Sequence, residues 1–557
     1  MLSVLHLRRI SRITISLAGD VASHVTDFDC VGETVLNIVE VLCDCLVELH
    51  LNIGRLVSCS AWLEDLGNRL EKTSVTTLHF NSAHRVKLPF VGFEKFKQLK
   101  NLTIPIKTSP NLTSLCRSVN QLDFLAVHGL KLSDVGLREG MPLGKNIVNL
   151  FLVNCHLKDD DVFTINKYME NQLVGLSVER NDVGDAAMRD ICIRQNCLML
   201  LNVSQTCITV SGLKLALETL THLTTLSAGR CRAMAGKQSA IDFKHLQHFR
   251  SLDLSGCGAI HVITLSSDSR LEYVNVSSCA AIRECMWTSV CVSLQHLDIS
   301  NCTGLSQNKL SVMIQSLACN CPHLSQLNIG WLRSVNDEVL FGVKEQRQCT
   351  TSSVPLKSLQ TRSSTSSLLG KEAKKAATLL CSSFKFVRDE TVCSSCVKHK
   401  SAEVHRLGIM GLANLTKLCL KACSRITNEA LSCALKFSLL TDLDISEVFL
   451  INDSGLLDVM IGCPVLERLN VSSCYNIGDF AATMVAQRLK RLTHFGAAYT
   501  AISDAGIHAL AGGLCRLVCI DISYCTNVTA KSLLVIRLSQ PCLLELHARH
   551  LATVTGY

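Results

Sequence analysis

The chain has 557 residues, far more than one compact core holds, so it is either several domains or an extended repeat array. Hydrophobic residues make up 48 % and charged residues 18 %, while aromatics are only 5 % and prolines number 8, a mix that suits many small packing layers. The formal charge of +8 is modest for this length and does not point to nucleic acid. No apolar run approaches the ~20 residues of a membrane span.

Residues 1–19 contain Arg8, Arg9 and Arg12 and no acid before Asp20, the composition of a mitochondrial presequence. The competing reading is a first repeat strand, with Ile10, Ile13 and Ile15 at strand spacing. Residues 1–119 read as degenerate N-terminal repeats or a cap, with spacings that drift to 29 and 36 residues.

Over 120–342 one pattern recurs, L-x-x-L-x-L-x-x-C, as in FRSLDLSGC (249–257), LEYVNVSSC (271–279) and LQHLDISNC (294–302). Its register residues Leu102, Leu125, Leu150, Leu176, Leu201, Leu226 and Leu252 lie 23, 25, 26, 25, 25 and 26 apart, the period of a leucine-rich repeat. Between Leu327 and Leu418 the spacing jumps to 91, which places an insertion at 343–412. That segment holds 12 Lys/Arg against 5 Asp/Glu, most of the net charge of the chain. Its Ser/Thr-rich start, 346–370, cannot bury enough apolar surface to order itself. It reads as a tolerated surface loop, or as a regulatory segment with phosphorylatable Ser363, Ser364, Thr365, Ser366 and Ser367. Cys393-x-x-Cys396 with His399 and His405 has zinc-ligand types, but the two-residue gap from Cys396 to His399 is too short for a two-Cys, two-His finger. Over 413–557 the repeats resume as C-terminal repeats and a cap. Leu418, Leu443, Leu469, Phe495, Ile520 and Leu546 are 25, 26, 26, 25 and 26 apart.

Within a unit the x-L-x-L alternation makes a strand with one buried face. A cap-like cluster follows: LSDVGL (132–137), ITVSGL (208–213), VNDEVL (335–340), ITNEAL (426–431), INDSGL (451–456) or AISDAGI (501–507). A Ser, Thr or Asn there accepts a free backbone N–H of a helix start, and an acid meets the positive end of the helix dipole. Helices end near Cys197, Cys321-Pro322, Cys463-Pro464 and Cys542. Each unit therefore reads as strand, turn, helix and return, and stacking about a dozen and a half units buries what one unit cannot. The result is an α/β leucine-rich-repeat solenoid, a curved horseshoe with its parallel sheet on the concave face and helices on the convex one.

Thirty cysteines could signal a disulfide scaffold, but many recur at one repeat position. They read as buried thiols acting as small apolar residues in a reducing compartment. Ser204, Ser255, Ser277, Ser300, Ser446, Ser472 and Ser523 recur just after the strand, for tight packing or a local hydrogen bond. Asn202, Asn275 and Asn470 match the glycosylation triplet but belong to the repeat.

The L-x-x-L-[DN]-[ILV]-S-x-C unit, the I-[ST]-[DN]-x-[AG]-L helix start and the pre-strand Cys-Pro resemble the cysteine-containing leucine-rich repeats of F-box substrate receptors and antagonist-of-mitotic-exit-like proteins. The resemblance covers 120–340 and 413–548. It implies an array that selects a protein target for a ubiquitin ligase; similar arrays are structural subunits of flagellar axoneme complexes. No F-box-like segment is found, and repeat-like sequence begins almost at Met1.

No phosphate-binding, dinucleotide, zincin or nucleophile-elbow motif is present, so the expectation is a non-enzymatic protein-binding chain with no cofactor. Side chains flanking the strand leucines face the concave side. In the C-terminal half these are Lys417, Lys421, Asp444, Arg468, Asn470, His494, Asp521, His547 and Arg549. Their mixed charge suits a protein partner, and no aromatic stacking platform for single-stranded nucleic acid is expected. Neither a small-molecule substrate nor a membrane is expected as a partner. The chain reads as a monomer or a subunit of a hetero-complex, cytoplasmic, with flagellar or cytoskeletal, nuclear and mitochondrial placements as alternatives. Two functions follow: a recognition subunit that presents a protein target, or a scaffold subunit of a large assembly.

Overall fold

The computed structural model describes residues 12–17, 46–53, 74–82, 98–105, 122–129, 146–234, 239–242, 248–265, 270–287, 292–342 and 408–551, with single helical positions at 37, 65, 66, 68 and 69. The described residues all belong to one compact unit, from which 344–406 are set apart. The phosphorylatable serines, the Cys393/Cys396/His399/His405 group and the 132–137 helix start lie outside the described residues.

The repeat unit opens with six longer strands: β1 (Arg12–Leu17), β2 (Glu48–Ile53), β3 (Thr77–Ser82), β4 (Asn101–Pro105), β5 (Phe124–His128) and β6 (Asn149–Val153). Then come the three- and four-residue strands β7 (Gly175–Ser177), β8 (Leu200–Asn202), β9 (Thr225–Ser227), β10 (Ser239–Asp242) and β11 (Ser251–Asp253), the six-residue β12 (Ile260–Leu265), and the short β13 (Tyr273–Asn275), β14 (Glu284–Trp287), β15 (His296–Asp298) and β16 (Gln326–Asn328). After the insertion come β17 (Lys417–Cys419), β18 (Asp442–Asp444), β19 (Arg468–Asn470), β20 (His494–Gly496), β21 (Cys519–Asp521) and β22 (Glu545–His547). Among the described residues, nineteen of these strands form one parallel sheet, while β10, β12 and β14 form a second, three-stranded parallel sheet.

The register is that of the leucine period. Leu102 pairs with Leu125, Leu201 with Leu226, and Leu418 with Leu443 and then Leu469. Leu327 sits beside Leu418, so the array closes over the insertion as though it were absent. The Trp331 amide donates to the Lys421 carbonyl at 2.6 Å across that junction. The return is tight: a Cβ on Gly408 would fall 2.1 Å from the Leu340 carbonyl oxygen. Ile409 and Leu412, inside the 343–412 stretch, are buried in the repeat core, so the repeat resumes before the leucine spacing suggests. At the other end Arg12–Leu17 pairs in parallel with β2 and stands as a strand of the main sheet.

Each register leucine from Leu49 to Leu469 is almost fully buried, in one cluster that also holds helix residues such as Leu431, Ala434, Leu456 and Val459. The helices therefore lie on the side toward which the leucines point. Each buried leucine contributes roughly 1.5–3 kcal/mol.

The helix starts follow the cap chemistry. Thr209, Asn336, Thr427, Asn452 and Ser503 are N-caps whose side-chain oxygens accept an amide of the first turn. The acid at the first helical position also binds the next repeat. Asp185, Asp337, Asp479 and Asp504 accept the cap amides of Thr209, Thr427, Ser503 and Thr529 at 2.7–2.9 Å. This ladder ties successive helices together, and the Asp337–Thr427 rung spans the insertion.

Two expectations change. Among the described residues of 231–293, the side opposite the main sheet carries β10, β12 and β14 instead of helices. Leu252, Val274 and Leu297 are only 22 and 23 apart, and segments such as IHVITL are β-branched, so a short strand is what fits. The repeat cysteines are also more than small apolar residues. The buried thiols of Cys231, Cys257, Cys279 and Cys525 each donate to a backbone carbonyl of the preceding repeat, at 3.1 Å. Burial pushes the thiols of Cys257, Cys279, Cys423 and Cys474 up to about 12. Desolvation is the leading cause at each. Neighbouring thiols add to it at Cys257 and Cys279, and backbone hydrogen bonds oppose it.

Candidate protein-binding face

Because strand side chains alternate, the residues on either side of each register leucine point away from the core, onto the open face of the sheet. The register sets them in two rows. One runs His296, Gln326, Lys417, Asp442, Arg468, His494, Cys519, Glu545, and the other Asp298, Asn328, Cys419, Asp444, Asn470, Gly496, Asp521, His547. Between them lies a trough of about 550 Å³ that runs from His296 to His547.

Seven of the nine candidate residues line this trough: Lys417, Asp444, Arg468, Asn470, His494, Asp521 and His547. Lys421 and Arg549 do not. Lys421 sits beyond the strand end, 3.3 Å from Glu447 and over the Trp331 ring at 5.4 Å. Arg549 uses its backbone in the last turn, where its amide donates to Ser523 Oγ and its carbonyl accepts from the Tyr524 amide.

Three of the seven also build the turn. Asp444, Asn470 and Asp521 each use Oδ1 to accept the amide of the serine two residues on, at 2.9–3.1 Å. The recurring serine thus ends the strand by a local hydrogen bond, one of the two roles its position suggests. Lys417 is exposed, Arg468 pairs with Asp442 at 3.2 Å, and His494 Nδ1 lies 2.9 Å from Thr493 Oγ1. Gly496 leaves the trough open where Asn470 Oδ1 comes close; a Cβ there would meet that oxygen at 2.5 Å. Burial raises the thiols of Cys419, to about 11, and of Cys519, where Glu545 and Asp521 add to the effect.

The expectation of no aromatic stacking platform is corrected by the structure. The residue before the repeat cysteine position adopts a left-handed conformation, and in several repeats it is aromatic: Trp331, Tyr499 and Tyr524. Tyr499 stacks on Tyr524 at 4.2 Å, Tyr524 on His550 at 4.6 Å, and Phe449 on Tyr475 at 5.7 Å. Trp331, Phe449, Tyr475 and Tyr499 are exposed. Aromatic residues are few in the composition, but the register concentrates these along the strand-end rim. The same alternation places Tyr273 stacked on His296 and Phe124 edge-on to Phe151 on the sheet face. At the N-terminal end Glu48 gathers His50 at 2.7 Å, Arg12 at 3.1 Å and His79 at 3.9 Å. The hydrogen bond from His50 and the charge of Arg12 hold the Glu48 carboxyl below its ordinary range, although partial desolvation opposes them.

The in-register row of buried leucines on parallel strands, joined by helical returns where these are described, decides the architecture. The chain is a leucine-rich-repeat solenoid. No protein-family model and no curated protein sequence matches it. Solved structures similar to it include the Rad7 and Elc1 complex of yeast, at 13 % identity over 87 % of this chain and 88 % of that one, TM-score 0.36. A leucine-rich-repeat protein of Leptospira interrogans is 14 % identical over 97 % of each chain, TM-score 0.34. An internalin of Listeria monocytogenes is 12 % identical over 82 % of this chain and 88 % of that one, TM-score 0.33. Among the described residues of the solenoid, no helix is long and apolar enough to cross a membrane.

Proposed function

We propose that this solenoid is a non-enzymatic protein-recognition subunit whose partner seats across the open sheet face between His296 and His547. The observation that carries this reading is the trough itself: two aligned rows of mixed charge, flanked at the strand ends by exposed, stacked aromatic residues. Aromatic anchors beside polar groups are the composition of protein interfaces. The trough stays open along eight strands, a form suited to an extended surface rather than a small substrate. The resemblance to cysteine-containing repeats supports a finer reading, in which the bound protein is a target presented to a ubiquitin ligase.

The test is a charge reversal on the face. Lys417→Glu with Arg468→Glu, and separately Tyr499→Ala with Tyr524→Ala, are each expected to weaken partner binding by at least ~30-fold, since desolvated anchors carry ~2 kcal/mol or more. Lys436→Glu with Lys531→Glu, on the helix side, is the control and leaves binding intact. Equal loss in all three variants, or in none, overturns the reading. Association with a cullin-bound adaptor tests the finer reading, and its absence from complexes that retain the target removes it.

A further inference from the structure

A side-chain cluster at the last strand pair has a chemistry that protein recognition does not use. Cys519 opens β21, and Glu545 opens β22 directly opposite it in register. His547 lies two residues beyond Glu545 and so returns to the same face of the sheet. A thiol sulfur, a carboxylate oxygen and an imidazole nitrogen thereby converge, with all three atoms within 4.8 Å of one another. His547 Nε2 and Glu545 Oε2 are 3.7 Å apart. Ligands held ~2.0–2.3 Å from zinc at tetrahedral angles lie roughly 3.3–3.7 Å from each other. The histidine–carboxylate separation is within a few tenths of an ångström of that requirement, and the exposed Glu545 and His547 side chains have room for the rotamer adjustments that close on the sulfur.

We propose that Cys519, Glu545 and His547 bind one zinc ion, with a fourth coordination position open toward the trough. Sulfur, nitrogen and carboxylate together are a zinc donor set; magnesium and calcium sites are built from oxygen. A second cluster, Glu48 with His50 and His79, makes a useful contrast. There the Arg12 guanidinium already pairs with the carboxylate at 3.1 Å, so a cation is in place. At the C-terminal cluster, among the described residues, neither Lys nor Arg pairs with Glu545. Asp521, close enough to Cys519 to act on its thiol, adds negative charge that favours a dication. The metal would also join β21 to β22, which among the described residues pairs only with β21.

The experiment uses the full chain carrying Cys393→Ser and Cys396→Ser, so that the paired cysteines of the insertion cannot contribute. The protein is stripped with chelator and titrated with zinc by calorimetry, then with cobalt, whose thiolate charge-transfer absorption reports sulfur ligation. The expected result is one equivalent bound, a cobalt–thiolate band and a higher melting temperature. Cys519→Ser and His547→Gln should each raise Kd by more than ~100-fold, beyond what loss of a supporting hydrogen bond costs, and Cys519→Ser should abolish the band. His547 is exposed, so its variant reports on the site even where Cys519→Ser disturbs the strand; circular dichroism of both variants checks folding. No zinc uptake by the parent, or uptake that neither variant alters, overturns the proposal.

Discussion

Asn181 occupies the position that cysteine holds in other repeats, and it is 3 % exposed. Its Oδ1 accepts the amides of Cys155 at 2.8 Å and Leu157 at 3.0 Å, both in the preceding repeat. Its Nδ2 donates to the carbonyls of Leu152 at 2.7 Å and Val178 at 2.9 Å. Asn181→Ala removes the side-chain acceptor of two buried amides and the donor to three carbonyls, those of Leu152, Val178 and Glu179. Each stranded donor costs about 1–3 kcal/mol, so the substitution should destabilise this region by about 3–5 kcal/mol. Asn181→Cys restores a donor toward a carbonyl, as Cys257 and Cys279 do, but no acceptor for the two amides. Its loss should be about half as large. Because long repeat arrays need not unfold in two states, the assay is native-state hydrogen exchange at Cys155 and Leu157, supported by urea unfolding. Exchange should accelerate by ~100-fold or more in Asn181→Ala, with an intermediate value for Asn181→Cys. Unchanged protection in Asn181→Ala would refute the accounting of buried hydrogen bonds.

The alanine substitution Asp479→Ala removes the acceptor of the Ser503 and Gly506 amides, at 2.7 and 3.0 Å, and should cost about 2–4 kcal/mol in urea unfolding, with Asp479→Asn closer to wild type. The thiols raised to about 12 stay protonated in the fold while an unfolded cysteine ionises at about 8.5. Their stabilising contribution is complete below about pH 8.5 and is lost as pH rises toward about 12, at about 1.4 kcal/mol per thiol per pH unit, so melting temperature should fall steeply above about pH 9. In native protein at about pH 8, thiol reagents should modify exposed Cys197, Cys207, Cys319, Cys433, Cys515 and Cys542 well before buried Cys257, Cys279, Cys423 and Cys474, as peptide mapping would show.

The leucine period predicts the main sheet and its register because a parallel solenoid repeats one packing unit, and Leu327 meets Leu418 despite the insertion between them. The helix caps were legible for the same local reason, in Thr209, Asn336, Thr427, Asn452 and Ser503. The second sheet was not, since a shortened unit changes what can fill the return path, and the leucine pattern is silent about that path. For the face, alternation identified Lys417, Arg468 and His494, but not that Asp444, Asn470 and Asp521 also close turns. The aromatic rim escaped because Tyr499, Tyr524 and His550 lie in separate repeats and meet only once the register stacks them. Gln326, Asp442, Cys519 and Glu545 hold strand positions equivalent to the named candidates and could have been found by aligning the repeats.

Crosslinking mass spectrometry of the native complex bears most directly on the open sheet as the gripping surface. Lys417 and Lys421, at the trough and its rim, should carry the crosslinks to the bound protein, while Lys436 and Lys531 on the helix side should not. Crosslinks confined to Lys436 and Lys531 would contradict the account.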